Sequence, residues 1–227
     1  MKITCIESSS KGNAFLIKRS HDRVLIDCGV KPKAKYDTLV ITHLHGDHVK
    51  YFENEILTHN FYCAKTLLDE LVKKYGSRIV KKYKVMDDIA FFDLNHDVPC
   101  FGVVVYDGKE SYCHITDTTN DFDRVPYIYG CDYYGVESNY DDILLKQSGR
   151  PSFLINRIIN EGHLSNTEAF MLVKELSNEN LKEVMHFHIS TQTNSDLEIE
   201  MTHTHLAKEY GDYKKVYARK GESIGKD

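Results

Sequence analysis

Three histidines and one aspartate fall within six consecutive residues, His43-Leu44-His45-Gly46-Asp47-His48. Imidazole and carboxylate together suit a borderline divalent cation such as zinc, and equally manganese or iron. The run follows a β-branched stretch over 37–42 that suits a buried strand. At the end of a strand, residues two apart point the same way, so His43 and His45 can reach one ion. Gly46 is expected to let the chain turn sharply, aiming Asp47 and His48 at a second position just beyond. Two cations about 3.5–4 Å apart would share a water, acidify it toward neutrality and polarise a phosphoryl oxygen. A second pair, His203-Thr204-His205, has no Asp-His after it and is flanked by charged, helix-like sequence. It reads as a solvated face. His21, His59 and His114 have no ligand-like neighbours, and His114 is expected to alternate with a core cysteine on its strand.

The elements that would position these groups can be followed along the chain. A strand over 3–6, the small polar turn Ser8-Ser9-Ser10-Lys11-Gly12-Asn13 and strands over 14–18 and 23–27 read as successive antiparallel segments. Helical spacing follows over 48–57, and more strongly over 64–75, where Leu67, Leu68, Leu71 and Val72 form one stripe. Strands return over 85–92, 101–106 and 111–116, with Asp107-Gly108 as a hairpin turn. The second half is mixed: a strand over 132–137, helical stretches over 141–147 and 153–159, and a helix over 166–176 opened by a capping arrangement around Ser165 and Glu168. A strand over 183–189 carries His188, and a last one over 215–219 precedes a polar tail. With no repeat and no Pro/Gly/Ser linker, one domain over 1–227 is expected, built as two β-rich layers with helices outside.

Composition narrows the function classes. The chain of 227 residues is 41% apolar and 28% charged, enough for a sizeable core. A net charge of −5 rules out a global basic field but not a local basic groove. No apolar run approaches the roughly 20 residues of a membrane span. The six cysteines form no CxxC pair or short-interval framework, so free thiols in a reducing cytoplasm are expected.

The run at 43–48 matches the HxHxDH motif of the metallo-β-lactamase superfamily, and further elements resemble one branch of it. Ser8-Ser9-Ser10-Lys11-Gly12-Asn13-Ala14 is similar to an SGSSGNA hairpin, Ile115-Thr116-Asp117-Thr118 to a TDT element, and Val136-Glu137-Ser138-Asn139-Tyr140-Asp141 to an ESNYD element. Gly162-His163-Leu164-Ser165-Asn166 resembles GHLSN, and His188-Ile189-Ser190 resembles the late H-[FLI]-S element. Together they resemble the WalJ (YycJ) group of exonucleases, over most of the chain. The departures are Ser9 and Lys11, where the group carries Gly and Ser, and Ser190-Thr191-Gln192-Thr193-Asn194, where it carries SxxNN.

The resemblance implies an α/β chain with the metallo-β-lactamase fold, a four-layered αββα sandwich, and two divalent metal ions, zinc or manganese. It implies His43, His45 and His96 on one ion, Asp47, His48 and His188 on the other, and Asp117 bridging. His186, two residues before His188 on the same strand, is the competing last ligand. Asp47 would touch the attacking water. His163 would bind the scissile phosphate or protonate the leaving oxygen, with Glu137 orienting it, and Asn139 and Ser165 would contact phosphate. The activity implied is a dinuclear-metal phosphodiesterase or exonuclease-like nuclease, DNA favoured over RNA. The alternative is a small-molecule phosphodiesterase or thioester hydrolase on the same core, since fold does not fix substrate. Candidate backbone-contacting cations are Lys73/Lys74, Lys81/Lys82/Lys84, Arg150, Arg157 and Lys214/Lys215.

Overall fold

The structure, a computed structural model, describes residues 1–226. The first half runs β1 (Lys2–Ser9), β2 (Gly12–Lys18), β3 (Arg23–Ile26), β4 (Thr38–Ile41), α1 (Gly46–Val49), α2 (Phe52–Glu55), β5 (Asn60–Cys63), α3 (Lys65–Tyr75), β6 (Ile89–Leu94) and β7 (Cys100–Asp107). The second half runs β8 (Glu110–Ile115), β9 (Tyr133–Glu137), α4 (Asp142–Gln147), α5 (Ser152–Arg157), α6 (Asn166–Leu176), β10 (Glu183–Phe187), α7 (Asp196–Tyr210), β11 (Lys215–Tyr217) and β12 (Ser223–Gly225). The strands make two six-stranded sheets, in the orders β12-β1-β2-β3-β4-β5 and β11-β10-β9-β8-β7-β6.

Alternation along the strands explains the layering. Ile3, Cys5, Phe15 and Ile17 point inward against Val103, Val105, Tyr112, Met185 and Phe187 of the other sheet. The opposite faces carry Leu25, Leu39 and Ile41 under Leu67 and Leu71 of α3, and Val104, Val136 and Val184 under Phe170 and Val173 of α6. This is the expected αββα arrangement. Ser165 caps α6 in a reciprocal capping box: its hydroxyl accepts from Glu168 N at 3.2 Å, and its own N–H donates to Glu168 Oε2 at 2.8 Å.

Parallel pairing then decides where chemistry can occur. β3, β4 and β5 run parallel, as do β8, β9, β10 and β11, so each group delivers its carboxyl ends to one rim. Carboxyl ends of such strands are where open α/β sheets bind ligands. The rims are joined where Phe101 N donates to the Thr42 carbonyl at 3.0 Å.

Several elements differ from expectation. β5 and β12, strands of four and three residues, are not among the expected ones; each alternates in burial over too short a run to stand out in the sequence. The 48–57 stretch divides into α1 and α2, and 77–82 forms a 3₁₀ turn that delays β6 to Ile89. The β7–β8 register pairs Asp107 with Glu110, so the two-residue turn is Gly108-Lys109 and not Asp107-Gly108. Gly108 supplies the left-handed φ of 61° there.

The largest correction concerns His203. The segment expected to be solvated is α7, and His203 is fully buried on it. Its ring lies 4.8 Å from that of His186 and 5.0 Å from that of Phe170, and neither of its nitrogens has a hydrogen-bond partner. Burial, reinforced by Lys215 and opposed by Glu200 and Asp212, holds its pKa down at about 4. A histidine depressed in the folded state contributes stability that is fully present above its unfolded pKa of about 6.5 and declines below it. Urea unfolding should therefore lose up to about 3 kcal/mol from this group between pH 7 and pH 4. In His203→Leu that part of the acid sensitivity should disappear; identical pH slopes for the two proteins would contradict it.

Candidate metal centre

Every residue of the 43–48 run except Gly46 follows from β4 and its exit into α1. Thr42 and His43 are buried just past the end of β4, whereas His45 is the extended residue preceding α1. Gly46 does not make the turn: it lacks a positive φ, and a Cβ there would meet open space. The glycine that matters is Gly29, where a Cβ would sit 1.6 Å from the Asp47 carbonyl oxygen. Only a glycine lets the 28–34 loop pass against the start of α1.

The ligand-type side chains converge in overlapping groups: His43, His45 and His96; Asp47, His48 and His188; and His43, His48 and Asp117. Asp117 clusters with His43 of the first group and borders the second, with Oδ2 3.2 Å from His48 Nε2 and Oδ1 3.3 Å from His188 Nδ1. Asp27, Asp117 and His188 are the non-glycine residues with left-handed φ among those described, at 59°, 49° and 54°. All three terminate strands at this rim. Such backbone costs about 1 kcal/mol or more per residue and persists where the surroundings fix it.

His186 is placed elsewhere. It faces the helical layer from β10, where its Nε2 meets the Tyr213 hydroxyl at 3.1 Å. The left-handed turn at His188 swings the later imidazole into the cluster instead.

Proton accounting shows what the cluster can accept. Thr42 Oγ1 donates to Asp27 Oδ2 at 2.8 Å, so it accepts from His43 Nδ1 at 3.0 Å, which leaves Nε2 of His43 a bare lone pair. That Nε2 is buried without a partner. His96 Nδ1 donates to the Glu161 carbonyl at 3.0 Å, and His45 Nε2 faces Asp97 Oδ1 at 3.3 Å. The remaining nitrogens, His45 Nδ1 and His96 Nε2, face each other at 3.3 Å. Three lone pairs thus converge with no protein donor among them, an arrangement a cation satisfies. His48 is anchored likewise, through Nδ1 to Asp27 at 2.7 Å, and His188 through Nδ1 to Glu137 Oε2 at 3.1 Å.

Charge supports the same fit. Asp27, Asp117 and Glu137 are buried and Asp47 half-buried, so four carboxylates share one small volume. Burial opposes ionisation of Asp117, yet the His188 and His48 imidazoles hold its carboxyl well below the usual range. Burial would lower His48 too, but Asp27 and Asp117 raise it well above the ordinary value. Burial and His48 push His43 well down. A pocket that buries carboxylates against His48 while keeping His43 unprotonated is one that divalent cations would neutralise.

Glu137 receives four hydrogen bonds: from Thr118 N and Leu164 N on Oε1 at 2.9 and 3.2 Å, and from His163 and His188 on Oε2 at 3.0 and 3.1 Å. For His163, burial works downward, but the Glu137 carboxylate overcomes it and lifts the pKa to about 9. Its Nδ1 is fixed by Glu137, and the side chain lines two adjoining cavities of about 330 and 270 Å³. Asp47, Asp117 and Arg157 line the first, Asn139 and Ser190 the second, and Arg150 both.

Two expected phosphate contacts are used differently. Asn139 Nδ2 donates to the His188 carbonyl at 2.8 Å, so although Asn139 borders a cavity, its amide holds the turn carrying His188. Ser165 is buried, caps α6 and lines neither cavity. Of the expected cations, Arg150 and Arg157 border the cavities. Lys214 and Lys215 are engaged by Glu183 and Asp212, and the lysines at 73–84 border neither cavity. The residues sequence reasoning missed are Asp27, Asp97 and Asn13, whose Nδ2 meets Asp47 Oδ2 at 3.1 Å and His48 Nε2 at 2.9 Å. The one visible signal was a charged Asp27 ending an apolar strand.

Known structures share this architecture. The metallo-β-lactamase fold protein YhfI of Bacillus subtilis superposes with a TM-score of 0.72 at 17% identity, covering 99% of both chains. The chain has the metallo-β-lactamase fold. Human tRNase Z, short form, superposes at 0.65 with 14% identity, again over 99% of each chain. In sequence the chain is similar to exodeoxyribonuclease WalJ of Streptococcus pneumoniae serotype 2, at 28% identity over 85% of this chain and 83% of that protein. It is also similar to exodeoxyribonuclease YycJ of Bacillus anthracis, at 21% identity over 93% and 90%. No family model matches the sequence. Among the described residues no helix is long and apolar enough to cross a membrane, and all six cysteines are buried and free.

Proposed function

We propose that this protein is a metal-dependent phosphodiesterase that degrades DNA as an exonuclease. The likeness to WalJ over 85% of the chain carries the choice of substrate, and the convergent lone pairs of His43, His45 and His96 support the metal dependence. His43, His45 and His96 would hold one divalent ion, Asp47, His48 and His188 a second, with Asp117 shared. Cations there would supply Lewis-acid polarisation of a phosphoryl oxygen and a water acidified toward neutrality.

The chain's own groups do the rest. Asp47, fixed by Asn13 at 3.1 Å, faces the cavity and can accept a hydrogen bond from the attacking water. Arg150 at the cavity walls suits the charge of a bound diester, whereas Arg157 beside it is paired with Asp97. His163, with Nδ1 held by Glu137, can carry a proton on Nε2 and deliver it to the leaving oxygen.

That role has a distinguishing test. His163→Ala should slow DNA cleavage by about 10²–10⁴-fold, yet affect a bis(p-nitrophenyl) diester far less, because p-nitrophenolate leaves without a proton. Equal losses on both substrates would contradict proton delivery by His163. The substrate is tested with end-labelled DNA and RNA, single- and double-stranded, incubated separately with zinc and manganese. Stepwise shortening of DNA is expected; cleavage of the small diester alone would overturn the nuclease reading.

A further inference from the structure

A second concave surface lies further along β1 from the metal centre and has no part in the chemistry above. The 28–34 loop, whose Gly29 rests on the Asp47 carbonyl, continues away from the centre and borders a cavity of about 380 Å³ with Thr4–Glu7 of β1 and Lys220-Gly221. Its floor is apolar, from Ile6, Val30 and Ala34, and its rim carries Lys31, Lys33 and Lys220. These three lysines are exposed, and none is ion-paired to another described residue. Glu7 is the one carboxylate lining the cavity. In a chain of net charge −5, three unpaired ammonium groups around one apolar groove are a local reversal of sign.

We infer that this groove is a track for the DNA strand running away from the metal centre, with Lys31, Lys33 and Lys220 contacting successive phosphates. This rests on the nuclease reading. Charge complementarity favours a polyanion, and the apolar floor gives bases or sugars a surface that a phosphate-only site would not need. Continuity favours the substrate's own strand. The β1–β2 turn puts Ser9 and Ser10 in the wall of the catalytic cavities, and the same β1 runs from there to the groove. At about 3.3 Å per strand residue, Ser9 lies about 10–17 Å from the stretch between Ile6 and Thr4. At about 3.4 Å per stacked nucleotide this spans about three to five nucleotides beyond the cleaved bond.

The test is a steady-state comparison of the metal-loaded protein with K31Q/K33Q/K220Q on single-stranded oligonucleotides of two to ten nucleotides and on a bis(p-nitrophenyl) diester. In the unmodified protein, KM should fall with length up to about six nucleotides. The triple variant should show KM raised at least tenfold for the longer substrates, unchanged kcat and unchanged turnover of the small diester. Its dependence of log KM on log salt should be shallower by about two, from three lost single-strand phosphate contacts. Cleavage of DNA by the triple variant with unaltered KM and salt slope would overturn the track while leaving the nuclease reading intact. A change in oligomeric state in place of KM would show that a second copy occupies the groove, and would also overturn it. Failure of the unmodified protein to cleave any DNA would remove both proposals.

Discussion

Asp117→Asn is expected to lower phosphodiester hydrolysis by at least about a thousandfold, a loss of about 4 kcal/mol of transition-state stabilisation. Asp117 sits where the two ligand groups meet, 3.2 Å from His48 Nε2 and 3.3 Å from His188 Nδ1. An amide retains its shape and its tolerance of left-handed backbone, but not the charge that would be shared between two cations. Asp117→Ala should be as inactive and additionally less stable by about 1 kcal/mol, because alanine at a φ of 49° carries the strain without a polar side chain to offset it. Metal analysis should find fewer ions bound in both variants than in the unmodified chain. Full metal content with undiminished rate in Asp117→Asn would exclude a shared-carboxylate role.

Glu137→Gln, although nearly isosteric, is expected to be the second most damaging change. All four groups facing Glu137 are donors: two backbone N–H groups on one oxygen and two imidazole Nδ1–H groups on the other. A carboxamide must present its own N–H to one of those pairs, so a buried donor is left unmatched at a cost of about 1–3 kcal/mol. For a chain of this length that corresponds to a fall in Tm of about 2–12 °C. Because the same carboxylate orients His188 and His163, metal affinity should drop about 10–100-fold, and the rate on DNA further still. Chelator competition and thermal unfolding measure the two effects separately. A normal Tm and normal metal affinity would show that Glu137 is a spectator.

The contrast between Asp117 and Glu137 on one side and His43 to His48 on the other explains what was legible in the sequence. The 43–48 run is local: three imidazoles and a carboxylate fall within six residues just past the end of β4, so its chemistry can be read from spacing. Two β-rich layers with helices outside were legible from the succession of short strands and the 3.6-period stripe of α3, but the αββα order came from the resemblance, because β2 and β7 are buried on both faces and carry no alternation. The anchors were not. Asn13 at the start of β2, Asp27 after β3 and Asp97 between β6 and β7 reach the centre from three separate parts of the chain, and a lone polar residue near a strand end has no periodicity that marks it. His203 was misread because its neighbours on α7 are polar, while its burial depends on Phe170 and Tyr213 from other elements. Ser165 was read two ways, and the local one, the cap of α6, is how the structure uses it.

Metal titration into the chelator-stripped protein, followed by cleavage of end-labelled DNA, tests the central claim most directly. Cleavage should be absent without metal, rise with added zinc or manganese and level off near two ions per chain. Protein carrying two ions per chain that leaves DNA intact, or cleavage that persists after the metal is removed, would contradict it.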